Sequence, residues 1–113
     1  MIRGSLYYDY IKSREDSDVI ESSDGFLIYT TTERGLFIKD AYVKPELRQK
    51  SVMSGFVHQL EGIARELCLE WIIAHVQLND PGRKQTLMAA FKNGFELVDS
   101  NNVFLTIAKK VRV

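Results

Sequence analysis

The stretch VKPELRQKSVMSGF, residues 43–56, joins two kinds of hydrophobic periodicity, and its reading decides the fold. Upstream, FLIYTTT (26–32) and LFIKDAYV (36–43) are rich in β-branched and aromatic residues. They flank Glu33-Arg34-Gly35, which predicts two strands joined by a tight hairpin. Pro45 ends the second strand, because proline has no N–H to give to a ladder. Downstream, Val52, Met53, Phe56, Val57, Leu60, Ile63, Ala64, Leu67 and Cys68 recur at spacings of three and four. That spacing makes one apolar stripe along a helix. Ser51 suits the N-cap, where its hydroxyl can accept from a first-turn amide. Glu61 and Arg65 form an i,i+4 pair on the outer face. Between strand and helix lies a basic loop, placed where unpaired N–H groups and the helix dipole favour an anion.

Beyond the helix, EWIIAHVQL (70–78) is nearly continuously apolar, as in a strand covered on both faces. Strand, helix and strand in this order predict a right-handed βαβ unit with parallel strands. Asn79-Asp80-Pro81-Gly82 breaks the chain, and Pro81 suits the first turn of a second helix reaching about Asn93, with Gly94 its stop. FELVDS (95–100), the turn Asn101-Asn102 and VFLTIAKKV (103–111) form a second hairpin. Its last strand reads as an exposed edge to which a second copy could pair, giving a homodimer through the C-terminal strands. Towards the N-terminus, LYYDYIKSR (6–14) reads as a short helix, and 15–25 as an acidic, turn-rich segment with a short edge strand around Val19 and Ile20. The expected class is α+β: a mixed sheet with helices on both faces, containing one parallel βαβ unit.

Bulk properties bound the rest. The 113 residues suit one domain over 1–113, with a short N-terminal region, 1–24, before the core. Fifteen basic residues balance fifteen acidic ones, so no overall field draws the chain to nucleic acid or membrane. Cys68 is the single cysteine, which rules out a disulfide within the chain. No leader-like segment and no apolar run of bilayer length is visible, so a cytoplasmic location is expected. No metal-ligand set is expected.

The order of elements and three of its anchors resemble the GNAT superfamily of N-acyltransferases, over about 25–110. AYVKPELR (41–48) looks like the family's fourth strand and the turn before its pyrophosphate loop. The long helix and the strand ending HVQLN (75–79) look like its third helix and fifth strand, and KNGFELV (92–98) like the end of its fourth helix. The resemblance implies that acetyl-CoA is the co-substrate. Its pantetheine would lie against Tyr42 and Val43, where two parallel strands splay apart. Its pyrophosphate would lie on the loop Arg48, Gln49, Lys50, Ser51, Val52 and Met53, with Asn79 near the thiol end. It further implies direct attack of an amine on the thioester, aided by a base and often by a tyrosine that protonates the thiolate.

Two places depart from the family pattern. Its loop has small residues where this chain has Ser51 and Met53; Met53 falls near the middle of the apolar stripe, which favours packing in the core. The family tyrosine corresponds to Ala90, and no tyrosine follows Tyr42. For a base the candidates are Asp40, on the opposite face from Lys39 and Ala41 and useful if half-buried near the splay, and His75, which shares a strand face with Trp71, Ile73 and Gln77. Imidazole titrates in a useful range for moving a proton. His58, beside the helix stripe, and Cys68, where the family has a helix-ending glycine, read as structural, with Cys68 a buried or boundary thiol. The expected function is acyl-CoA-dependent N-acetyl transfer to an amine acceptor that the sequence does not identify. The alternative is a GNAT-fold binding module without catalysis.

Overall fold

A computed structural model of the chain describes residues 17–47 and 52–112. Strands β1 (Asp18–Ser22), β2 (Gly25–Thr31) and β3 (Gly35–Val43) are followed by a short 3₁₀ turn, Pro45–Leu47, and helix α1 (Val52–Glu66). Strand β4 (Trp71–Gln77), helix α2 (Arg83–Lys92) and strands β5 (Glu96–Ser100) and β6 (Phe104–Lys110) complete the order. The helix expected over 6–14 and the N-cap Ser51 lie outside the described residues.

The six strands form one mixed sheet in the order β1-β2-β3-β4-β6-β5. Among the described residues only β3 and β4 run parallel, from Gly35↔Trp71 to Ile38↔Ala74, with α1 as the crossover. The parallel unit read from the sequence is therefore present. The last strand differs from expectation: β6 is not an edge. It pairs with β4 along its whole length, Trp71↔Lys110 to Gln77↔Phe104, and with β5 on its other side. Among the described residues the edge at that end of the sheet is β5.

The core gathers where α1 meets the sheet. Phe56, Val57, Leu60 and Ala64 pack against Leu27, Leu36, Ile72, Val76 and Ile107, and Leu87 and Ala90 of α2 join the same cluster. Among the described residues, both helices thus feed one core cluster. Along β4 the buried residues alternate as Ile72, Ala74 and Val76, with His75 and Gln77 exposed on the other face. A smaller cluster, Val19 and Ile28 with Phe26, lies apart from this core.

Both helices end in the same backbone motif. At α2, Phe95 N–H donates to the Ala90 carbonyl at 3.0 Å and Gly94 N–H to Phe91 at 3.1 Å, with Gly94 at φ 91°. At α1, Leu69 N–H donates to Ala64 at 2.8 Å and Cys68 N–H to Arg65 at 3.1 Å, with Cys68 at φ 56°. Paired bonds of this kind close a helix around a residue in the left-handed region, where glycine is favoured. Cys68 is exposed rather than buried, because the residue that turns the chain outward sits beyond the packed stripe. Cys68→Gly should therefore raise stability by about 1 kcal/mol, since it relieves a Cβ clash at positive φ. Thermal melting monitored by circular dichroism checks this; an unchanged or lower midpoint would contradict it.

The second helix starts later than Pro81 suggests. The Asp80 carboxylate accepts from Gly82 N–H at 2.8 Å and Arg83 N–H donates to the Asp80 carbonyl at 3.1 Å. This turn absorbs Pro81 and Gly82, and the first helical residue is Arg83.

Candidate active site

The site begins with a slip in one strand. Along β3, the residues that pack into the core are Leu36, Ile38, Ala41 and Val43, a run that skips a beat after Ile38. The register with β2 shows why: Tyr29 pairs with Ile38 and Ile28 with Asp40, so Lys39 is an extra residue. Such a bulge bends its strand and increases the local right-handed twist. It lies immediately after Ile38, the last β3 residue paired with β4. From there β3 continues with β2 alone, Asp40 to Val43, and β4 continues with β6 alone, His75 to Gln77. The two parallel strands part, leaving a wedge at their C-terminal ends.

The bulge also corrects the expected placement of Asp40. Lys39 and Asp40 do not alternate simply across the sheet; both are exposed and neither enters the core. One Asp40 carboxylate oxygen accepts from the N–H of Ala41 at 2.8 Å. An exposed carboxylate engaged with its neighbour's amide lacks the half-buried setting that the sequence reading gave it.

His75 is the first residue of β4 beyond the parting point. Its ring is stacked on Phe104, centroids 3.9 Å apart at 21°, and meets the edge of Phe37 at 4.8 Å and 84°. Its face is shared with Trp71, Ile73 and Gln77, as expected. The flanking rings hold the imidazole upright at the mouth of the wedge while leaving it exposed. Phe37 and Phe104 were not singled out in the sequence, because Phe104 reaches His75 diagonally across the β4–β6 ladder. Only the register, His75↔Thr106 and Gln77↔Phe104, reveals it.

Of the remaining described residues, Tyr42 and Val43 end β3 and Asn79 follows β4, at the ends where the two strands have parted. Tyr42 is 42% exposed and stacks on Phe26 at 5.7 Å, and Val43 turns into the core. Asn79 is exposed in the turn after β4. The adjoining turn is held by the Arg83 guanidinium, which donates to the Leu78 carbonyl. Val52 and Met53 open α1, and both side chains pack against the core. The apolar-stripe reading of Met53 thus agrees with its position. Arg48, Gln49, Lys50 and Ser51 lie outside the described residues. The described chain leaves β3 through the turn Pro45–Leu47 and resumes at Val52, the first residue of α1, a helix end whose first amides have no partner within the helix. Ala90, at the place of the family tyrosine, packs against the core. Two surface depressions flank Trp71 at the far, N-terminal end of β4, one lined by Arg34 and Cys68, the other by Lys110 and Arg112. Neither touches the wedge, which is an open slot between strands rather than an enclosed cavity.

No protein-family model and no curated protein matches the sequence. Solved structures do. PaiA N-acetyltransferase from Thermoplasma acidophilum in complex with coenzyme A aligns with TM-score 0.74 and 18% identity, over 93% of this chain and 69% of that one. Nourseothricin acetyltransferase aligns with TM-score 0.69 and 20% identity, over 87% of this chain and 67% of that one. The anti-CRISPR protein AcrVA5 aligns with TM-score 0.67 and 22% identity, over 80% of this chain and 96% of that one. At these identities the likeness is one of fold. The chain has the fold of the GNAT N-acyltransferases, with its one parallel strand pair, β3–β4, in a mixed six-stranded sheet.

Proposed function

We propose that the protein is an acyl-CoA-dependent N-acyltransferase that moves an acetyl group to an amine. The observation that carries this reading is the wedge: β3 and β4 part after Ile38 and Ala74, and the chain then enters α1 at the same end. A pantetheine arm could lie between the parted strands beside Tyr42 and Val43, with the thioester near His75 and Asn79. The pyrophosphate would meet the first amides of α1, with Arg48 and Lys50 adding charge. Met53 suits this arrangement because its side chain is directed to the core, leaving the backbone of the first turn to face the anion.

In the transfer, the nitrogen lone pair of a neutral amine attacks the thioester carbonyl. The C–N bond forms, the C–S bond breaks, and coenzyme A leaves as a thiolate. His75, exposed and held between two rings, is positioned to take the amine's proton. Ala90 offers no acid for the thiolate, so its proton would come from solvent. The share of the solved acetyltransferases with this fold supports the reading, and the coenzyme A complex of one of them supports the choice of co-substrate.

A second reading, a binding module without catalysis, is favoured by one observation: the loop RQKSVM holds no glycine, while the packing positions around it are intact.

Calorimetric titration with acetyl-CoA separates the two. Saturable binding is expected, weakened about tenfold in Arg48→Ala through loss of a charge-assisted bond to phosphate. Met53→Ala is expected to leave the affinity within about twofold. Absence of binding to the parent chain would overturn the transferase reading and leave the binding module.

A further inference from the structure

We infer that the acceptor is an α,ω-diamine, whose reacting amine meets His75 while its far ammonium rests on Asp99; this rests on the transferase reading above. Two strands of the sheet carry bulges, Lys39 in β3 and Val98 in β5, and each bulge resets the alternation of its strand. In β5, Leu97 pairs with Ile107, a core residue. Regular alternation would turn Asp99 towards that same core, but the extra residue brings it opposite Thr106 instead. Thr106 is in turn the cross-strand partner of His75. Imidazole, hydroxyl and carboxylate thus form one rank across β4, β6 and β5, on one face of the sheet. In β3 the Lys39 bulge does the same to Asp40, which pairs with Ile28 of the smaller cluster while Ile38 and Ala41 face the main core. Each bulge has turned an aspartate onto the face of His75, one on either side of it. Bulges re-aim side chains in this way beside active sites.

The rank is polar at both ends, with apolar groups between them. Neighbouring strands lie about 4.8 Å apart, so Asp99 stands roughly 10 Å from His75 across β6. Between them lie the Thr106 methyl group and, two residues back on the same face of β6, the Phe104 ring that stacks on His75. Hydrogen bonds of about 2.9 Å at each end leave a span that a chain of a few methylenes fills. The charges match as well. Among the described residues neither aspartate makes an ion pair. One Asp99 oxygen accepts from Ser100 N–H at 2.8 Å, and the side chain stays exposed. The lysines of β3 and β6 are engaged elsewhere: Lys39 donates to Ser17 Oγ at 3.4 Å, Lys109 to Glu61, and Lys110 lies over the Trp71 ring. A dication is therefore drawn to this face, and Asp99 fixes which nitrogen stays protonated. The other nitrogen, neutral when it attacks, gives its proton to His75. The product leaves with one amide and one ammonium.

Initial rates with putrescine and with butylamine, a monoamine on the same carbon chain, test this. The expected KM for putrescine is about fivefold below that for butylamine, the range of one exposed ion pair. Asp99→Asn should erase that preference while kcat on butylamine stays within about twofold. Asparagine keeps the oxygen that accepts from Ser100 N–H, so far-UV circular dichroism and melting should not change. Binding is read apart from turnover: with desulfo-CoA present, putrescine should shift the His75 ring resonances saturably, and less tightly in Asp99→Asn. Equal KM values for the two amines, or a preference unchanged in Asp99→Asn, overturn the diamine assignment and leave the transferase reading standing. A chain that binds acetyl-CoA but turns over neither amine also overturns the assignment. Absence of acetyl-CoA binding overturns both.

Discussion

Deleting Lys39 should close the wedge while leaving the fold intact. The residues of β3 that enter the core are Leu36, Ile38, Ala41 and Val43. With one residue removed between Ile38 and Ala41, the same four side chains fall into regular alternation, so the core loses nothing. What changes is the course of the strand: without the bulge, β3 runs straight and can pair with β4 past Ala74. Under the proposed function, backbone groups that would meet pantetheine then bond across the seam instead. Losing two such bonds corresponds to about tenfold or more in acetyl-CoA affinity. Calorimetry and thermal melting together check the result: weak or absent binding beside an undiminished melting temperature. Binding within about twofold of the parent would show that the wedge is not the cofactor's seat.

Gly35→Ala should have the largest effect on stability. Gly35 opens β3 and pairs with Trp71 at the start of the parallel seam. A Cβ there would sit 2.0 Å from the Trp71 carbonyl oxygen and 2.7 Å from its carbonyl carbon. Both are backbone atoms of β4, so no rotamer change can make room, and the strands must move apart at the point where they are joined. A cost of about 3 kcal/mol is expected for such overpacking. In a domain of this size that lowers the melting temperature by about 12 °C. Gly55 on α1 supplies the control: its added Cβ meets nothing within 4 Å, so Gly55→Ala should not destabilise. If Gly35→Ala melts with the parent, the close approach of β3 and β4 has been misjudged.

Elements governed by local pattern were legible in the sequence. The apolar stripe of α1, the hairpin that ends in Gly35 and the Gly94 stop each follow from residues a few positions apart. The fold class followed from their order. Three features were not legible, and each depends on register between distant segments. Lys39 becomes an extra residue only once β2 and β3 are aligned, since either strand alone reads as regular. The last strand, with Lys109 and Lys110, looks like a guarded edge. In the folded chain Lys109 instead bonds Glu61 of α1 at 3.1 Å, and Lys110 lies over the Trp71 ring at 5.7 Å. Those basic residues help dock a central strand. Of the candidate site, His75 was found by its chemistry and its face. Its aromatic neighbours came from a diagonal contact that no single segment encodes.

The short seam between β3 and β4 has a consequence for how such an opening arises. On one side stands an antiparallel leaf, β1-β2-β3; on the other stands a second, β4-β6-β5. Each leaf takes its twist from its own hairpins, and only four residue pairs, Gly35–Ile38 with Trp71–Ala74, stitch them together. Neighbouring strands in a sheet rotate by roughly 20–25° relative to one another, and the Lys39 bulge adds to that rotation on β3, a strand of the seam itself. Past the last stitch nothing obliges the two twists to agree. The slot is thus a remainder of mismatched curvature rather than a hollow carved by side chains.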